Sequence, residues 1–309
     1  MDKTNWALAL HGGAGTILKE RMTPDKEAAY RAGLDHALAQ GRAVLEAGGA
    51  CEAAVEATVV ALEDNPLFNA GKGSVLTRDG TVEMDAAIMR GRDLAAGSVT
   101  GLLHVRNPVR LARLVMDGSD HVMLAGAGAE RFAREAGAVM VEPAYFEIEL
   151  RRSQLAEAQA KQEISLDHND HKYGTVGAVA RDIHGNLAAA TSTGGMTNKH
   201  PGRIGDSPVI GAGTYANDRG AAVSATGHGE MFIRLSVGRD ISALVEYGGL
   251  SLDQAVARKV LEELPAIDGR GGVIAVGRTG APVLCFNTPG MYRAAQVEGG
   301  EALIGFYAD

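Results

Sequence analysis

The sequence predicts an α+β protein in which antiparallel sheets pack against helices. Apolar segments of strand length come in pairs joined by turn sequences such as "DIHGN", and segments with helical spacing follow one another. The strict alternation of strand and helix that indicates a parallel doubly wound sheet does not appear in this pattern. With 309 residues, of which 46% are hydrophobic and 22% charged, the chain can bury a large core.

The first predicted elements are one strand and two helices. Trp6–Leu10 is apolar throughout and is predicted as a buried strand that ends at "HGGAG". A helix begins with Thr23 as N-cap and Pro24 at its first position. A second helix covers Cys51–Asp64 and ends before the dipeptide "NP".

The middle of the chain is predicted as a hairpin, a helical region and a linker. "VLTRDGTVEMDAAIM" is typical of a hairpin with its turn at "DG", and helices fill much of the region 107–162. The polar stretch Ser165–Lys172 is the clearest linker. Its His168 and His171 have no third ligand nearby in sequence and are interpreted as solvated loop residues.

The last part of the chain is predicted as two pairs of strands, two helices and three short strands. These segments are, in order, Val176–Ala180, Leu187–Thr193, Val209–Tyr215, Ala221–Thr226, the helices Glu230–Glu246 and Ser251–Leu264, and the strands "GVIAV", "VLCFN" and Leu303–Tyr307.

Composition and charge exclude several classes of partner. The net charge is -8 with no long run of one sign, which disfavours nucleic acid and anionic membranes. The apolar run near the start is too short for a secretory signal, and none approaches a membrane span of about 20 residues. We therefore expect a cytoplasmic protein. The two cysteines, Cys51 and Cys285, lie far apart and show neither metal-ligand spacing nor a disulfide framework.

The dipeptide Gly174-Thr175 in "YGTVGAV" is either a turn into a strand or a bond made to be cut. A threonine hydroxyl needs a base, and at an amino terminus its own α-amino group, with a pKa of about 7.7–8.0, supplies one. Cleavage requires that Thr175 Oγ1 attack the Gly174 carbonyl, after which water hydrolyses the ester. Alone, this dipeptide is a weak signal, and the neighbouring segments decide its meaning.

Several long segments occur in one order: "ALHGGAG", "NPLFNAGKGSVLTRDG", "ATSTGGMTNKHPGRIGDSPVIGAGTYAN", "SATGHGEMF" and "FNTPGMYRA". Together they closely resemble the plant-type L-asparaginase and isoaspartyl peptidase family of N-terminal nucleophile hydrolases, over nearly the whole chain. The resemblance implies a four-layer αββα sandwich with two antiparallel sheets between helical layers. It also implies one domain, 1–309, that cleaves itself into an α subunit, 1–174, and a β subunit, 175–309.

The resemblance assigns roles to residues of the proposed β subunit. Thr175 aligns with the nucleophile, and Thr193 with a threonine whose hydroxyl hydrogen-bonds it. Arg203 and Asp206 align with the pair that holds the α-carboxylate and α-amino groups of the substrate, for which a planar guanidinium and a carboxylate are suited. Thr226 and Gly227 align with the oxyanion hole, and Gly229 is assigned to substrate binding, where a glycine permits close backbone approach.

Two further features belong to the same resemblance. Asn69 aligns with a residue near the nucleophile and the substrate, and the loop 62–72 resembles a sodium-binding loop. In that loop the main-chain carbonyls of Leu62, Glu63, Asn65, Phe68, Ala70 and Lys72 would hold a structural Na⁺, and no cofactor is required. His228 departs from the family pattern, which has a small residue there, so the imidazole is expected to narrow the pocket, contact the substrate or shift the pH profile.

The function implied is hydrolysis of β-aspartyl dipeptides and L-asparagine, with release of L-aspartate, by a dimer of αβ units. A related glycosylasparaginase activity and an uncleaved, non-catalytic binding protein of the same fold remain as alternatives. The sequence does not decide between asparagine and isoaspartyl peptides as the preferred substrate.

Overall fold

The computed structural model describes residues 5–161 and 174–308, so the predicted linker with His168 and His171 lies outside the described residues. The described helices are α1 Pro24–Glu46, α2 Cys51–Glu63, α3 Pro108–Gly118, α4 Gly126–Glu135, α5 Glu149–Ala160, α6 Gly229–Arg234, α7 Val237–Glu246 and α8 Leu252–Ala257, which continues as a π-helix over Arg258–Glu263. The strands are β1 Ala7–Gly15, β2 Met84–Arg90, β3 Ala96–Leu102, β4 Met123–Ala125, β5 Val176–Arg181, β6 Leu187–Thr193, β7 Thr214–Ala216, β8 Ala221–Gly227, β9 Gly271–Gly277, β10 Val283–Phe286, β11 Gly290–Val297 and β12 Leu303–Tyr307.

These strands form two sheets. The larger sheet has the order β12-β11-β1-β5-β6-β2-β3-β4, and the smaller one has the order β10-β9-β8-β7. Every neighbouring pair is antiparallel except β3 and β4, which are parallel. The expectation of two antiparallel sheets is therefore confirmed apart from one pair at the edge of the larger sheet.

The sheets pack face to face and are covered by helices on their outer faces. Small side chains such as Ala9, Val179 and Ala189 meet Ala222 and Ile274 in the apolar layer between the sheets. A second apolar cluster joins the larger sheet to α1, α2 and α3, and a third joins the smaller sheet to α7 and α8. The order of layers is helix, sheet, sheet, helix, which confirms the predicted sandwich.

Local signals placed several elements correctly. Thr23 caps α1 by accepting the backbone N–H of Lys26, and Ser251 forms a capping box with Gln254 at α8. The β5–β6 hairpin is confirmed, and the "DG" turn carries Gly80 at φ +79, although only the isolated bridge from Leu76 to Val82 flanks it. Among the described residues, no helix is both long and apolar enough to cross a membrane.

Three predicted elements were wrong or incomplete, and the strands β3, β4 and β11 were not predicted at all. The predicted helix 230–246 is two helices, because Ser236 adopts a left-handed conformation at φ +47. Residues 209–213 form turns rather than a strand, with Gly211 at φ +97 and the Gly213 N–H bonded to the Asp206 carbonyl. Strand β1 continues through "HGGAG" to Gly15.

Candidate active site

Thr175 lies directly before β5, where the hairpin places it opposite the end of β6. Val176 pairs with Ser192 in the antiparallel register, so Thr175 and Thr193 are the next residues to face each other. Cross-strand partners project to the same face of a sheet. The Thr175 hydroxyl accordingly donates a hydrogen bond to Thr193 Oγ1 at 3.2 Å. The structure thus brings together the predicted nucleophile and its predicted threonine partner.

A second hydroxyl, that of Ser207, also contacts the predicted nucleophile. Its Oγ lies 3.3 Å from Thr175 Oγ1. Because the single hydroxyl proton of Thr175 is directed to Thr193, Ser207 donates in this pair. Thr193 Oγ1 also accepts the backbone N–H of Gly195 at 2.9 Å. These bonds hold Thr175 Oγ1 in one orientation inside a nearly closed site.

Gly174 is tightly enclosed on several sides. A Cβ atom at Gly174 would lie 2.5 Å from Thr226 Oγ1 and 2.9 Å from both Ala14 N and Gly13 Cα. Gly13 has φ +112, and a Cβ there would overlap the backbone of Gly174. Glycine at both positions therefore allows the "HGGAG" segment to approach the bond before Thr175 closely.

His11 is fully buried and contacts Thr175 through its backbone. His11 Nδ1 lies 2.8 Å from the Thr175 carbonyl oxygen, and Nε2 lies 2.9 Å from Ser224 Oγ. Because a carbonyl oxygen can only accept, the proton is assigned to Nδ1, and the Ser224 hydroxyl donates to Nε2. Burial lowers the pKa of His11 to about 3, although the bond to Thr175 acts in the opposite direction. The ring is therefore neutral near pH 7.

Two more buried hydroxyls extend this network behind Ser224. Thr191 Oγ1 lies 2.7 Å from Ser224 Oγ, and the Thr214 hydroxyl donates to Thr191 Oγ1 at 2.7 Å. Since the Ser224 proton points to His11, only Thr191 can donate in its pair with Ser224. Thr191 and Thr214 also have the carbonyls of Gly213 and Ser207 as acceptors, at 3.2 and 2.9 Å. The direction is therefore fixed from Ser224 through His11 to the Thr175 carbonyl, which stabilises a single tautomer of His11.

The predicted oxyanion residues Thr226 and Gly227 end β8 beside the Gly174–Thr175 bond. Thr226 is fully buried, and its Oγ1 accepts the backbone N–H of Ala14 at 3.2 Å. Gly227 lines the same pocket as Thr175 and has φ +145, a conformation that favours glycine. Thr226 thus packs against Gly174, whereas Gly227 borders the open part of the site.

Arg203 lines the pocket and is held by a carboxylate. Its Nε and Nη2 each donate to one carboxylate oxygen of Glu230 at 2.9 Å, a bidentate pair. Burial favours the neutral form of Glu230, but the pairing with Arg203 outweighs it and lowers the pKa of this carboxyl. The predicted carboxylate-binding residue is therefore already oriented at the edge of the site.

Asp206 lies beside Arg203 and is almost completely buried. Burial raises its pKa to about 7, and the charge of Arg203 opposes this shift. Within the described part of the chain, Asp206 Oδ2 has no hydrogen-bond partner. A Cβ atom on Gly229 would lie 2.7 Å from Asp206 Oδ1 and 3.1 Å from Arg203 Nη2. A buried carboxylate oxygen without a donor suits an incoming ammonium group.

Asn69, another predicted substrate-binding residue, is hydrogen-bonded to the loop that follows β6. Its Nδ2 donates to the Gly195 carbonyl at 2.8 Å, and its Oδ1 accepts the backbone N–H of Val75 at 2.9 Å. The Gly194 N–H also donates to the Asn69 carbonyl. Asn69 therefore supports the residues that follow Thr193.

His228 and Arg270 form another part of the pocket wall. The His228 backbone N–H donates to the Arg270 carbonyl at 2.8 Å. The His228 ring leans towards Glu230, with Nε2 3.6 Å from a carboxylate oxygen. His228, which departs from the family pattern, thus lies in the site next to Glu230, the partner of Arg203.

The predicted sodium loop follows α2 and turns tightly. Gly71 has φ +52, and a Cβ atom there would lie 2.5 Å from the Glu63 carbonyl oxygen. A Cβ on Gly73 would lie 2.0 Å from the Phe68 carbonyl oxygen. Only glycine allows the loop to pass this close to these two carbonyls, and the Phe68 carbonyl accepts the backbone N–H of Ala70 at 3.0 Å. In the described residues, no three His, Cys, Asp or Glu side chains cluster as a metal site.

Three residues of the site were not singled out from the sequence: His11, Ser207 and Ser224. His11 belongs to the "HGGAG" motif, and Ser207 directly follows Asp206, so the motifs contained both signals. Ser224 lies in the middle of β8 and reaches His11 only because the sheets pack face to face.

Comparisons with known proteins agree with this geometry. The profile of the family described as asparaginase matches residues 4–305. Isoaspartyl peptidase from Salmonella typhimurium is 52% identical, covering 98% of both chains, and that from Escherichia coli is 51% identical, covering 98% of this chain and 96% of its own. A bovine protein named isoaspartyl peptidase/L-asparaginase is 40% identical over 96% of this chain and 94% of its own. Because the family model matches residues 4–305 and the relatives are 40–52% identical over almost the whole length, the chain belongs to the asparaginase family.

Proposed function

We propose that this protein is an isoaspartyl peptidase with L-asparaginase activity, which becomes active by cleaving its own Gly174–Thr175 bond. The observation that carries the proposal is the environment of Thr175 Oγ1. This atom is buried, hydrogen-bonded to Thr193 and Ser207, and open to a pocket that contains Arg203 and Asp206. The names of the relatives support the same activity.

The first reaction is internal. Thr175 Oγ1 attacks the Gly174 carbonyl carbon, the C–N bond breaks, and the acyl group moves to oxygen as an ester while the nitrogen becomes a free amine. Water then hydrolyses the ester and leaves Gly174 as a carboxyl terminus. Because Gly174 is confined between Gly13 and Thr226, its carbonyl is held in place for this attack. The products are subunits 1–174 and 175–309 of one domain.

The second reaction uses the new amine as a base. Arg203 and Asp206 bind the α-carboxylate and α-amino groups of the aspartyl head, and Thr175 Oγ1 attacks its side-chain carbonyl. Gly227, with Thr226 beside it, stabilises the negative oxygen of the tetrahedral intermediate, a contribution of about 10²–10³ in rate for one donor. Ammonia or an amino acid leaves, and water releases L-aspartate from the ester.

The proposal includes three further features. Two αβ units form a dimer, the protein is cytoplasmic, and the loop 62–72 holds a structural Na⁺ through its carbonyl oxygens. The tight turn of this loop, in which Gly71 and Gly73 pass close to the carbonyls of Glu63 and Phe68, supports the ion. If it binds, replacing NaCl with choline chloride will lower the midpoint of thermal unfolding, whereas an unchanged midpoint argues against the ion.

A denaturing gel of aged, purified protein tests the proposal. Two fragments are expected, the smaller with Thr175 at its amino terminus, together with release of aspartate from L-asparagine and a β-aspartyl dipeptide. Thr175→Ala abolishes both the cleavage and the hydrolysis. Persistence of the intact chain without aspartate release would instead favour the non-catalytic alternative, and turnover of a glycosylasparagine alone would favour glycosylasparaginase activity.

A further inference from the structure

The two sheets divide the pocket into two flanks on either side of Thr175. Strand β6 neighbours β5 on one side, and β1 followed by β11 lies on the other. In the smaller sheet, β7 packs over β6 and β2, while β9 packs over β1 and β5. Residues that follow β6 therefore border one flank, and residues that precede β9 or β11 border the opposite flank.

The groups assigned to the aspartyl head all lie on the β6 flank. Arg203 and Asp206 belong to the connection from β6 to β7, and the Asp206 carbonyl accepts the N–H of Gly213 just before β7. The β9 flank is bordered by Gly15, Arg270 and Thr288. A substrate held by its head on the first flank, with its scissile carbonyl at Thr175, extends its leaving group towards the second.

The cationic side chains of the two flanks differ in whether a carboxylate lies beside them. Arg203 is paired with Glu230, and the His228 ring also faces Glu230. Arg270 is exposed, and within the described residues no carboxylate lies within 4 Å of its guanidinium. Of the cationic side chains in this wall, Arg270 is the one whose charge is uncompensated in the part of the chain that the structure describes.

We infer that Arg270 forms a leaving-group subsite that selects substrates whose departing amine carries a carboxylate. This inference rests on the proposed function and concerns its substrate preference. In a β-aspartyl dipeptide, the leaving amino acid carries its carboxylate one carbon beyond the scissile nitrogen, on the side of the pocket that Arg270 borders. Ammonia from asparagine offers no such group, so the subsite favours β-aspartyl dipeptides over asparagine.

Three substrates distinguish the effect of the Arg270 subsite from the effects of the other active-site residues. They are β-aspartyl-leucine, β-aspartyl-leucinamide and L-asparagine. The two dipeptides share the head, the scissile bond and the leucine side chain, and differ only in the terminal carboxylate. We expect kcat/KM for the free acid to exceed that for the amide by about three- to tenfold, the range of a partly exposed charge pair. The ratio will decrease as the KCl concentration rises from about 0.05 to 0.5 M, because salt screens exposed charges.

The variant Arg270→Gln is expected to reduce the ratio of free acid to amide to about one. A general loss of activity cancels in this ratio. Arg278→Gln is the matched control, since Arg278 is an exposed arginine at the other end of β9 and will leave the ratio as in the wild type. A wild-type ratio near one, or an unchanged ratio in Arg270→Gln, overturns the subsite while the proposed function stands. Absence of turnover of all three substrates overturns both.

Discussion

Thr175 Oγ1 and Thr193 Oγ1 are joined by a hydrogen bond of 3.2 Å across the ends of β5 and β6. The pairing register of the hairpin puts them opposite each other, so the contact follows from a regular sheet rather than from a loop. A site built on paired strands is positioned more rigidly than one built on loops alone. The nucleophile therefore lies in a rigid environment that further substitutions can test.

Gly174→Ala is expected to slow self-cleavage by at least about tenfold, because a methyl group at this position collides with Thr226 and the backbone of Gly13. Overpacking of this kind costs about 1–3 kcal/mol. The fraction of cleaved chain on a denaturing gel measures the effect over time. Gly128→Ala is the control, since a Cβ there meets no atom within 4 Å. Cleavage of Gly174→Ala at the wild-type rate contradicts the proposed confinement of this glycine.

Ser224→Ala is expected to decrease kcat by about 10- to 100-fold with little change in KM. The change removes the hydroxyl that donates to His11 Nε2, leaving a buried acceptor unsatisfied at a cost of about 1–3 kcal/mol. His11 then keeps its Nδ1 bond to the Thr175 carbonyl but loses its support at Nε2, while Arg203 and Asp206 are untouched. Steady-state kinetics with L-asparagine measure the effect.

The control for Ser224→Ala is Ser242→Ala, which truncates another fully buried serine on α7, outside the site. An equal loss of kcat in both variants would show that the effect is one of general packing.

Arg203→Lys is expected to separate substrate binding from self-cleavage. Lysine keeps the charge but cannot form the planar bidentate contact, so KM rises by about 10- to 100-fold. Self-cleavage is unaffected, because Arg203 lies at the substrate end of the pocket rather than at Gly174. Arg219→Lys, at an exposed arginine paired with Glu246, serves as control. Equal losses of substrate hydrolysis and of self-cleavage would show that Arg203 does not act specifically in substrate binding.

The buried carboxyl group of Asp85 is expected to make the stability of the protein depend on pH. Burial raises the pKa of this carboxyl to about 6 in the folded protein, from 3.8. Between these values the unfolded chain loses the proton while the folded one keeps it. The contribution of Asp85 to the free energy of unfolding is therefore full below pH 3.8 and decreases by about 3 kcal/mol as the pH rises through 6.

Asp85→Asn removes the pH-dependent contribution of Asp85 to the free energy of unfolding. The difference in the midpoint of thermal unfolding between pH 4 and pH 6.5 will change relative to the wild type, towards greater relative stability at the higher pH. Asp35→Asn, at an exposed aspartate on α1, will follow the wild type. Parallel pH curves for Asp85→Asn and the wild type would show that this carboxyl does not titrate differently in the two states.

Local patterns in the chain already indicated antiparallel sheets packed with helices, most of the helices and the Gly174-Thr175 dipeptide, whereas the four-layer order was implied by the family resemblance. Caps, turn residues and periodicity act over a few residues, so α1, α8 and the β5–β6 hairpin could be predicted with their ends. The same short range explains the failures. The break at Ser236 and the turns over 209–213 lie in segments that contact each other across the chain, since the N–H groups of Gly238 and Arg239 donate to the carbonyls of Ala212 and Gly211.

The composition of the site was decided by tertiary structure. His11 lies on β1, Ser224 on β8 and Thr175 directly before β5, and the first two are separated by 213 residues in the chain. They meet because antiparallel register aligns β1, β5 and β6, and because the two sheets pack face to face. No local propensity encodes that register. The hydrogen bonds of buried His11 and, among the residues that the structure describes, the lack of a carboxylate beside Arg270 therefore became visible only in the folded chain.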